Sequence, residues 1–330
     1  MTHDLLQLRP EGLYCPAGDF WIDPWRPVPN AIITHAHADH ARAGMQSYVS
    51  ASEGIDLLHL RVGLDASIES LAYGEQRRLG AATVSLHPAG HIRGSSQVRV
   101  AVGDEVWVVT GDFKRQPDPT CTPFEVVRCD ALITEATFAY PVYRWPATSV
   151  VAAQIMAWRR HCAERGAAAL LLCYALGKAQ RLLAELALLT DEIVLLHGAM
   201  VGLTDLYRLA GVAMLPIEPV GEKRGAELAG RLVLAPPSAA GSPWMRRFDE
   251  VETAFASGWM QVRGHRRRRG HDRGFVLSDH ADWSDLIRTV LESGARRVLA
   301  THGQQEVLAR YLKELGVEAT ALRTQYGGDD

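Results

Sequence analysis

Short apolar runs bounded by polar turns dominate the first part of the chain. Ala31-Ile32-Ile33, residues 82–86, 96–102, Glu105–Thr110 and Ala131–Thr134 each read as strands, since they are brief, apolar and set off by turn residues. Gly103-Asp104 lies between two of these runs and predicts a hairpin. Beyond residue 140 the pattern changes. Pro141, Trp145 and Pro146 punctuate a loop, and the apolar spacing then alternates between helical and extended. It predicts a helix over Ser149–Arg165 capped by Thr148, strand 168–173, helix 177–189, strand 192–196, helix 200–210 and strand 231–235. Such alternation argues for βαβ units and a parallel sheet. A proline- and glycine-rich stretch, 236–243, follows, and two more β-like runs come later, Phe275-Val276-Leu277 and Arg297–Ala300.

Chemistry gathers where these runs end. Thr34-His35-Ala36-His37-Ala38-Asp39-His40 follows the first strand-like run directly. Imidazole and carboxylate are the donors that zinc and its neighbours accept. His35 and His37 share parity, so an extended segment turns both side chains to one side. Asp39 and His40 come where the chain turns toward a helix and can aim at a second ion. Gly90-His91-Ile92-Arg93-Gly94-Ser95 sets a histidine between glycines, where backbone can approach a ligand closely. Asp112 follows the Glu105–Thr110 run, while Ser278-Asp279-His280-Ala281-Asp282 and Thr301-His302-Gly303 close the late runs. A lone His280 or His302 would read as an ordinary surface or core histidine, and the first motif alone as a histidine-rich or pH-sensitive loop. The ordered set describes a binuclear centre instead. Its ligand candidates are His35, His37, Asp39, His40, His91, Asp112 and His302. His87 has no flanking glycines and is the poorer candidate.

Composition narrows the setting. The 330 residues are 47% hydrophobic and 22% charged, values of a soluble globular protein with room for one large domain or two ordinary ones. The longest apolar run, Ala167–Leu176, is too short to span a bilayer. The start lacks a basic segment followed by a long apolar one, so a cytoplasmic location is expected. Cys15, Cys121, Cys129, Cys162 and Cys173 form no C-x-x-C pair, which fits free thiols in a reducing compartment. A net charge of −3 excludes a basic coat protein. Basic charge is instead local, centred on Arg266-Arg267-Arg268-Arg269 just before the His280 segment. Guanidinium forks bind phosphate in a bidentate way, so this run is a candidate phosphate contact, with a solvated loop as the bland alternative. Lys178 at a helix start, Arg246 and Arg247 are further candidates.

The H-x-H-x-D-H, G-H-x-x-G-S, G-D, acidic, S-x-H and H-G elements stand here in the order of the metallo-β-lactamase fold. The chain resembles its β-CASP nucleases. The segments 174–183, 235–248 and 274–283 look like those of bacterial ligase-associated DNA exonucleases. The resemblance implies an α/β protein, a metallo-β-lactamase αββα sandwich (1–140 plus 274–330) with an inserted α/β β-CASP domain (141–273). It implies that His35, His37 and His91 hold one ion, that Asp39, His40 and His302 hold the other, and that Asp112 bridges them. Two such ions can share a hydroxide that attacks phosphorus. His280 is then left as general acid, Glu135 as its orienting carboxylate, and Asp39 counts among the catalytic residues as well as the ligands. Asp23, in Trp21-Ile22-Asp23-Pro24, would orient a ligand; a simple turn residue is the rival reading. Zinc is the expected metal, with manganese the alternative. The expected function is a DNA exonuclease of repair, acting beside a DNA ligase and a helicase. An RNA-processing nuclease is the alternative, since His302 matches a histidine that RNA-directed members carry. A small-molecule ester or thioester hydrolase needs neither the insertion, the arginine run nor a separate His280.

Overall fold

The structure, a computed structural model, describes residues 4–262 and 272–325. The chain divides into two compact units. One holds the residues up to Pro141 and from His280 onward, and the other runs Val142–Asp279.

The first unit opens with β1 (Gln7–Arg9), β2 (Gly12–Cys15), β3 (Phe20–Ile22), β4 (Asn30–Ile32), β5 (Ser47–Ala51), α1 (Ile55–Val62) and β6 (Ile68–Leu71), and the six strands form one sheet in that order. It continues with β7 (Gln76–Leu79), β8 (Ala82–Pro88), β9 (Ser96–Val102), β10 (Glu105–Val109) and β11 (Ala131–Ala136). The β9–β10 pair is the hairpin predicted at Gly103-Asp104: Glu105 faces Val102, and Gly103 takes a φ of +59° that favours glycine.

The second unit contains α2 (Thr148–Glu164), β12 (Ala168–Leu172), α3 (Lys178–Leu186), β13 (Val194–Leu196), α4 (Gly198–Leu209), β14 (Ile217–Pro219), β15 (Leu232–Ala235), β16 (Val251–Ala256) and β17 (Arg273–Phe275). The chain then returns to the first unit with α5 (Trp283–Ser293), β18 (Arg297–Gly303), α6 (Gln305–Glu314) and β19 (Glu318–Ala321), which completes a seven-stranded sheet in the order β19-β18-β11-β10-β9-β8-β7.

One apolar cluster takes side chains from both sheets of the first unit, including Leu13, Phe20 and Ile32 from one and Val84, Val98, Trp107 and Ile133 from the other. The far face of the seven-stranded sheet packs on Leu286 and Val290 of α5 and Leu308 and Leu312 of α6. The far face of the six-stranded sheet packs on Leu58 of α1.

In the second unit all five strand pairings are parallel, in the order β14-β13-β15-β12-β16-β17. Every residue of β12 is buried, as expected of a central parallel strand covered on both faces. One face carries Ile155 of α2, Leu182 of α3 and Met200 of α4. The other is covered by Val220, Leu228, Phe248 and Met260.

Three expectations need correction. Thr148 does not cap α2. It is the first helical residue, Ala147 precedes it without a side-chain cap bond, and its hydroxyl instead accepts from Arg181 at 2.6 Å. The late strand of the second unit is Arg273–Phe275, earlier than 275–277, because Ala254–Ala256 of β16 pairs there. That pairing keeps the segment in the second unit, which therefore extends to Asp279 and not to residue 273.

Candidate metal centre

Strand ends of the first unit supply the site. β4 delivers Thr34 to His40, β8 delivers His91, β10 delivers Asp112, and β11 and β18 contribute Glu135 and His302 from within. Tight approaches explain the glycines beside these residues. Gly111 has a φ of +56°, and a Cβ there would stand 2.7 Å from Thr34 Cβ. A Cβ on Gly303 would stand 2.5 Å from the Cα of Thr137.

The seven ligand candidates fall into two groups of close donor atoms, His35, His37, His91 and Asp112 in one and Asp39, His40 and His302 in the other. His37 Nδ1 lies 3.0 Å from His91 Nε2, and His35 Nε2 lies 3.6 Å from Asp112 Oδ2. In the second group His40 Nε2 is 3.5 Å from Asp39 Oδ2. Asp112 reaches both groups: Oδ2 is 3.6 Å from His40 Nε2, and Oδ1 is 3.9 Å from His302 Nδ1. Donors held roughly 2.0–2.2 Å from a tetrahedral ion stand roughly 3.3–3.6 Å apart, so these separations suit ligands around an ion. The buried polar atoms give the same answer. His35 Nε2 and all four carboxylate oxygens of Asp39 and Asp112 are buried with no hydrogen-bond partner. Leaving carboxylates so placed is costly unless a cation meets them. The residues present therefore fit divalent ions.

Asp23 organises this set. β3 and β4 run parallel, with Ile22 opposite Ile32, which sets Asp23 beside Thr34. Asp23 Oδ1 accepts from the Thr34 N–H at 2.8 Å, and Oδ2 accepts from the Thr34 hydroxyl at 2.6 Å. Oδ2 also lies 2.7 Å from His40 Nδ1. Because the Thr34 proton is given to Asp23, the Thr34 oxygen is left to accept from His35 Nδ1, 3.0 Å away. One carboxylate thus fixes two tautomers, each with its Nε2 lone pair turned to the ligand cluster. The rival reading of Asp23 as a turn residue does not account for its 1% exposure. Thr34 was not anticipated from the sequence; a threonine preceding a histidine motif carries no distinctive pattern.

The electrostatics follow from crowding. Burial holds His35 well below its ordinary value, and neighbouring imidazoles add to the effect. Burial and then the charge of His40 push His302 down to about 4. Burial pushes Asp112 up to about 8 against the pull of His40 and His280. Burial also opposes charge on His40, yet the carboxylates of Asp112, Asp23 and Asp39 outweigh it and raise His40 to about 10. The two groups work against each other: the rise at His40 draws on the charge of Asp112, and burial disfavours that same charge.

A third grouping joins Asp112, Glu135 and His280. Glu135 Oε1 accepts from the Phe113 N–H at 2.8 Å, and Oε2 lies 2.9 Å from His280 Nδ1. Burial works against an ionised Glu135, but His280 and these hydrogen bonds hold its carboxyl below the usual range. Asp282 caps α5 by accepting from the Asp285 N–H at 3.0 Å, and so fixes the chain just after His280.

Other sequence candidates lie elsewhere. His87 sits 3.0 Å from Ser85 Oγ and belongs to neither ligand group. His197-Gly198, which repeats the His302-Gly303 pattern in sequence, lies in the second unit, where His197 caps α4 by accepting from the Ala199 N–H. Lys178 is not at an exposed helix start: it is 3% exposed, its ammonium 3.5 Å from Asp279 and 4.4 Å from the Tyr174 ring centroid. Arg246 is exposed and Arg247 half-buried, both in the turn Pro243–Arg247. Arg266, Arg267, Arg268 and Arg269 lie outside the described residues. The five cysteines form no disulfide. Among the described residues no helix is long and apolar enough to cross a membrane.

Comparison with known proteins places this geometry. No family model matches the chain. It is 34% identical over 313 residues to a protein named "Probable DNA ligase" from Opitutus terrae, covering 94% of this chain and 30% of that protein. It is 30% identical over 128 residues to the endoribonuclease ysh1 of Aspergillus fumigatus, covering 38% of this chain and 14% of that one. It is 25% identical over 179 residues to an RNase J-like protein of Methanocaldococcus jannaschii, covering 49% and 42%. The chain thus spans less than half the length of each of these relatives. Among solved structures, a protein of unknown function from Enterococcus faecalis shares the fold, with a TM-score of 0.58 at 12% identity, covering 90% of this chain and 80% of that one. The chain belongs to the β-CASP metallo-β-lactamase family.

Proposed function

We propose that the protein is a metal-dependent phosphodiesterase acting on DNA, an exonuclease of repair. In this reading the first unit is the αββα sandwich and the second the inserted β-CASP domain. The observation that carries it is the pair of ligand groups meeting at Asp112, with the Glu135–His280 pair set beside them and not needed to complete either group.

His35, His37 and His91 would hold one ion, Asp39, His40 and His302 the other, and Asp112 both. Zinc suits these nitrogen and oxygen donors, with manganese the alternative. When bound, two such ions lower the pKa of a water toward neutrality and neutralise charge on phosphoryl oxygens. The protein's own residues do the rest. Asp23 and Thr34 hold the ligand tautomers. Glu135, ionised, accepts the Nδ1 proton of His280, which leaves Nε2 as the atom that gives a proton to the leaving oxygen. A small ester with a good leaving group has no use for that proton.

The match to a probable DNA ligase supports DNA as substrate and work beside a ligase; a helicase partner rests on the family resemblance alone. A second reading, an RNA-processing nuclease, is favoured by His302 and by the relatives named as endoribonucleases. Arg246, Arg247 and the Arg266–Arg269 run stand in this reading as phosphate contacts, whereas buried Lys178 does not.

The test is direct. End-labelled single- and double-stranded DNA and RNA are incubated with the protein and zinc or manganese in turn. DNA cleavage that a chelator abolishes is expected. Preference for RNA selects the second reading. Chelator-resistant cleavage, or hydrolysis confined to thioesters and lactams, refutes both.

A further inference from the structure

The second unit gathers basic and aromatic side chains at the carboxyl ends of three neighbouring strands. His197 follows β13, the turn 220–224 follows β14, and Trp244 and Arg247 follow β15. Since these strands are parallel, all three turns stand at one edge of the sheet, the edge where open α/β sheets bind ligands. Arg247 ties the turns together. Its Nε donates to the Trp244 carbonyl at 3.0 Å, and its Nη1 donates to the Gly221 carbonyl at 2.8 Å. The guanidinium carbon lies 4.7 Å from the Trp244 ring centroid, and the His197 ring lies 4.9 Å from the same ring.

This arrangement leaves charge uncompensated. Among the described residues Arg247 has two carbonyl partners and no carboxylate in ion-pair range. Burial and then the charge of Arg224, in the turn that Arg247 joins, hold the guanidinium below its ordinary value, and Glu222 only partly offsets them. Arg224 itself is exposed. Two guanidiniums near one another repel unless an anion comes between them, and phosphate matches their forked donors. An aromatic pair beside such a phosphate site offers a surface to an unpaired base, as single-strand binding proteins do. A paired base has no face to give.

We propose that Arg224 and Arg247 hold a backbone phosphate of a single-stranded nucleic acid, and that the adjoining base stacks against the Trp244–His197 pair. The proposal rests on the nuclease reading, since the ligand is the substrate strand.

Fluorescence anisotropy of a labelled oligothymidylate tests it, with full-length, metal-loaded protein in a His280→Ala background and the oligonucleotide checked for integrity on a gel. A blunt duplex and inorganic phosphate serve as comparison ligands. Arg224→Ala and Arg247→Ala should each weaken single-strand binding by about tenfold and reduce the log–log salt slope by about 0.7. Trp244→Leu should remove the quenching of a 2-aminopurine placed in the strand while sparing the salt slope. Arg247 bonds two carbonyls, so Arg247→Lys, which keeps the charge, and the exposed Arg224→Ala guard against a folding artefact. If the His280→Ala parent binds the strand but both arginine variants keep its affinity and slope, the subsite is wrong and the nuclease reading stands. Equal losses on duplex overturn the single-strand assignment, and competition by millimolar phosphate alone reduces the site to an anion pocket. A parent protein that binds no nucleic acid overturns the underlying reading as well.

Discussion

Asp23→Asn changes one atom and should loosen the centre. The carboxylate receives three donors, the Thr34 N–H, the Thr34 hydroxyl and His40 Nδ1. An amide offers one oxygen and an NH2 group, so whichever way it turns, the NH2 faces a donor. With the NH2 toward His40, the imidazole must move its proton to Nε2, the atom 3.6 Å from Asp112 that a metal ion requires bare. Loss of one hydrogen bond to a charged group costs about 1.5–3 kcal/mol of stability. Loss of an orienting partner typically costs about 10–100-fold in metal affinity, about 1.4–2.8 kcal/mol. The effect should be uneven. Asp23 touches His40 directly but reaches His35 only through Thr34, so the ion held by Asp39, His40 and His302 should weaken more. Calorimetric titration of zinc into metal-free protein resolves the two binding steps, and urea unfolding measures the stability. Unchanged affinity at both steps, with the variant folded, refutes the orienting role of Asp23.

Three further outcomes are expected. His280→Ala should keep both ions and the fold yet lose about 10²–10⁴-fold in cleavage rate, whereas Asp112→Ala should lose metal and activity together; release of an ion by His280→Ala in elemental analysis would make His280 a ligand. Metal binding should expel protons from His40, raised to about 10, and Asp112, pushed to about 8. Both must be deprotonated to ligate, so affinity should climb as pH rises from about 6 toward those values, with proton release visible as a buffer-dependent enthalpy, and a flat profile refutes it. In the second unit Arg181 is fully buried, bonds the Ser278 carbonyl at 2.7 Å and the Thr148 hydroxyl, and lies 3.4 Å from Asp279, whose other oxygen is 3.5 Å from Lys178. Arg181→Met should cost about 3–5 kcal/mol in urea unfolding, and Lys178→Met less, because Arg181 still faces Asp279 when Lys178 is gone; equal costs would show that the two cations are not so ranked.

What could be read in the sequence was local. Ligand types, their parity along an extended segment and glycines where backbone comes close are properties of a few neighbouring residues, and they brought out His35, His37, His91 and Asp112. The relay from Asp23 through Thr34 is different. It depends on the register of β3 against β4, which no short window contains, so Asp23 stood out only through a family pattern and Thr34 not at all. Lys178 shows the reverse failure. Gly177-Lys178 has the form of an exposed helix start, but packing buries the first turn of α3, and Asp279 meets the charge. Thr148 likewise has the form of a cap, and its hydroxyl is taken instead by an arginine far along the chain. The boundary at 273 came from the family resemblance, and the compact unit runs on to Asp279 because Arg273–Phe275 pairs with β16 as an edge strand, a long-range pairing that no short window contains.

The centre is costly in a way that points to its use. Among the described residues, the non-glycine positions with positive φ are Asp19, Asp23 and His302, and two of them belong to the site. Such backbone strain persists only where surrounding structure enforces it, and it concentrates at functional sites. Carboxylate oxygens of Asp39 and Asp112 are buried without hydrogen-bond partners beside imidazoles whose own protonation burial opposes. Each of these features works against the stability of the unliganded protein. A divalent cation relieves most of them together, by meeting the carboxylates and taking the imidazole lone pairs. The glycines belong to the same account. Replacing Gly111 would drive a methyl into Thr34, shifting the hydroxyl that joins Asp23 to His35. The strand end that presents Asp112 and the residue that sets the His35 tautomer are therefore one mechanical unit. Glycine at 111 is what lets the strand end approach Thr34 this closely, and so keeps Asp112, Thr34 and His35 together with Asp112 facing both ligand groups.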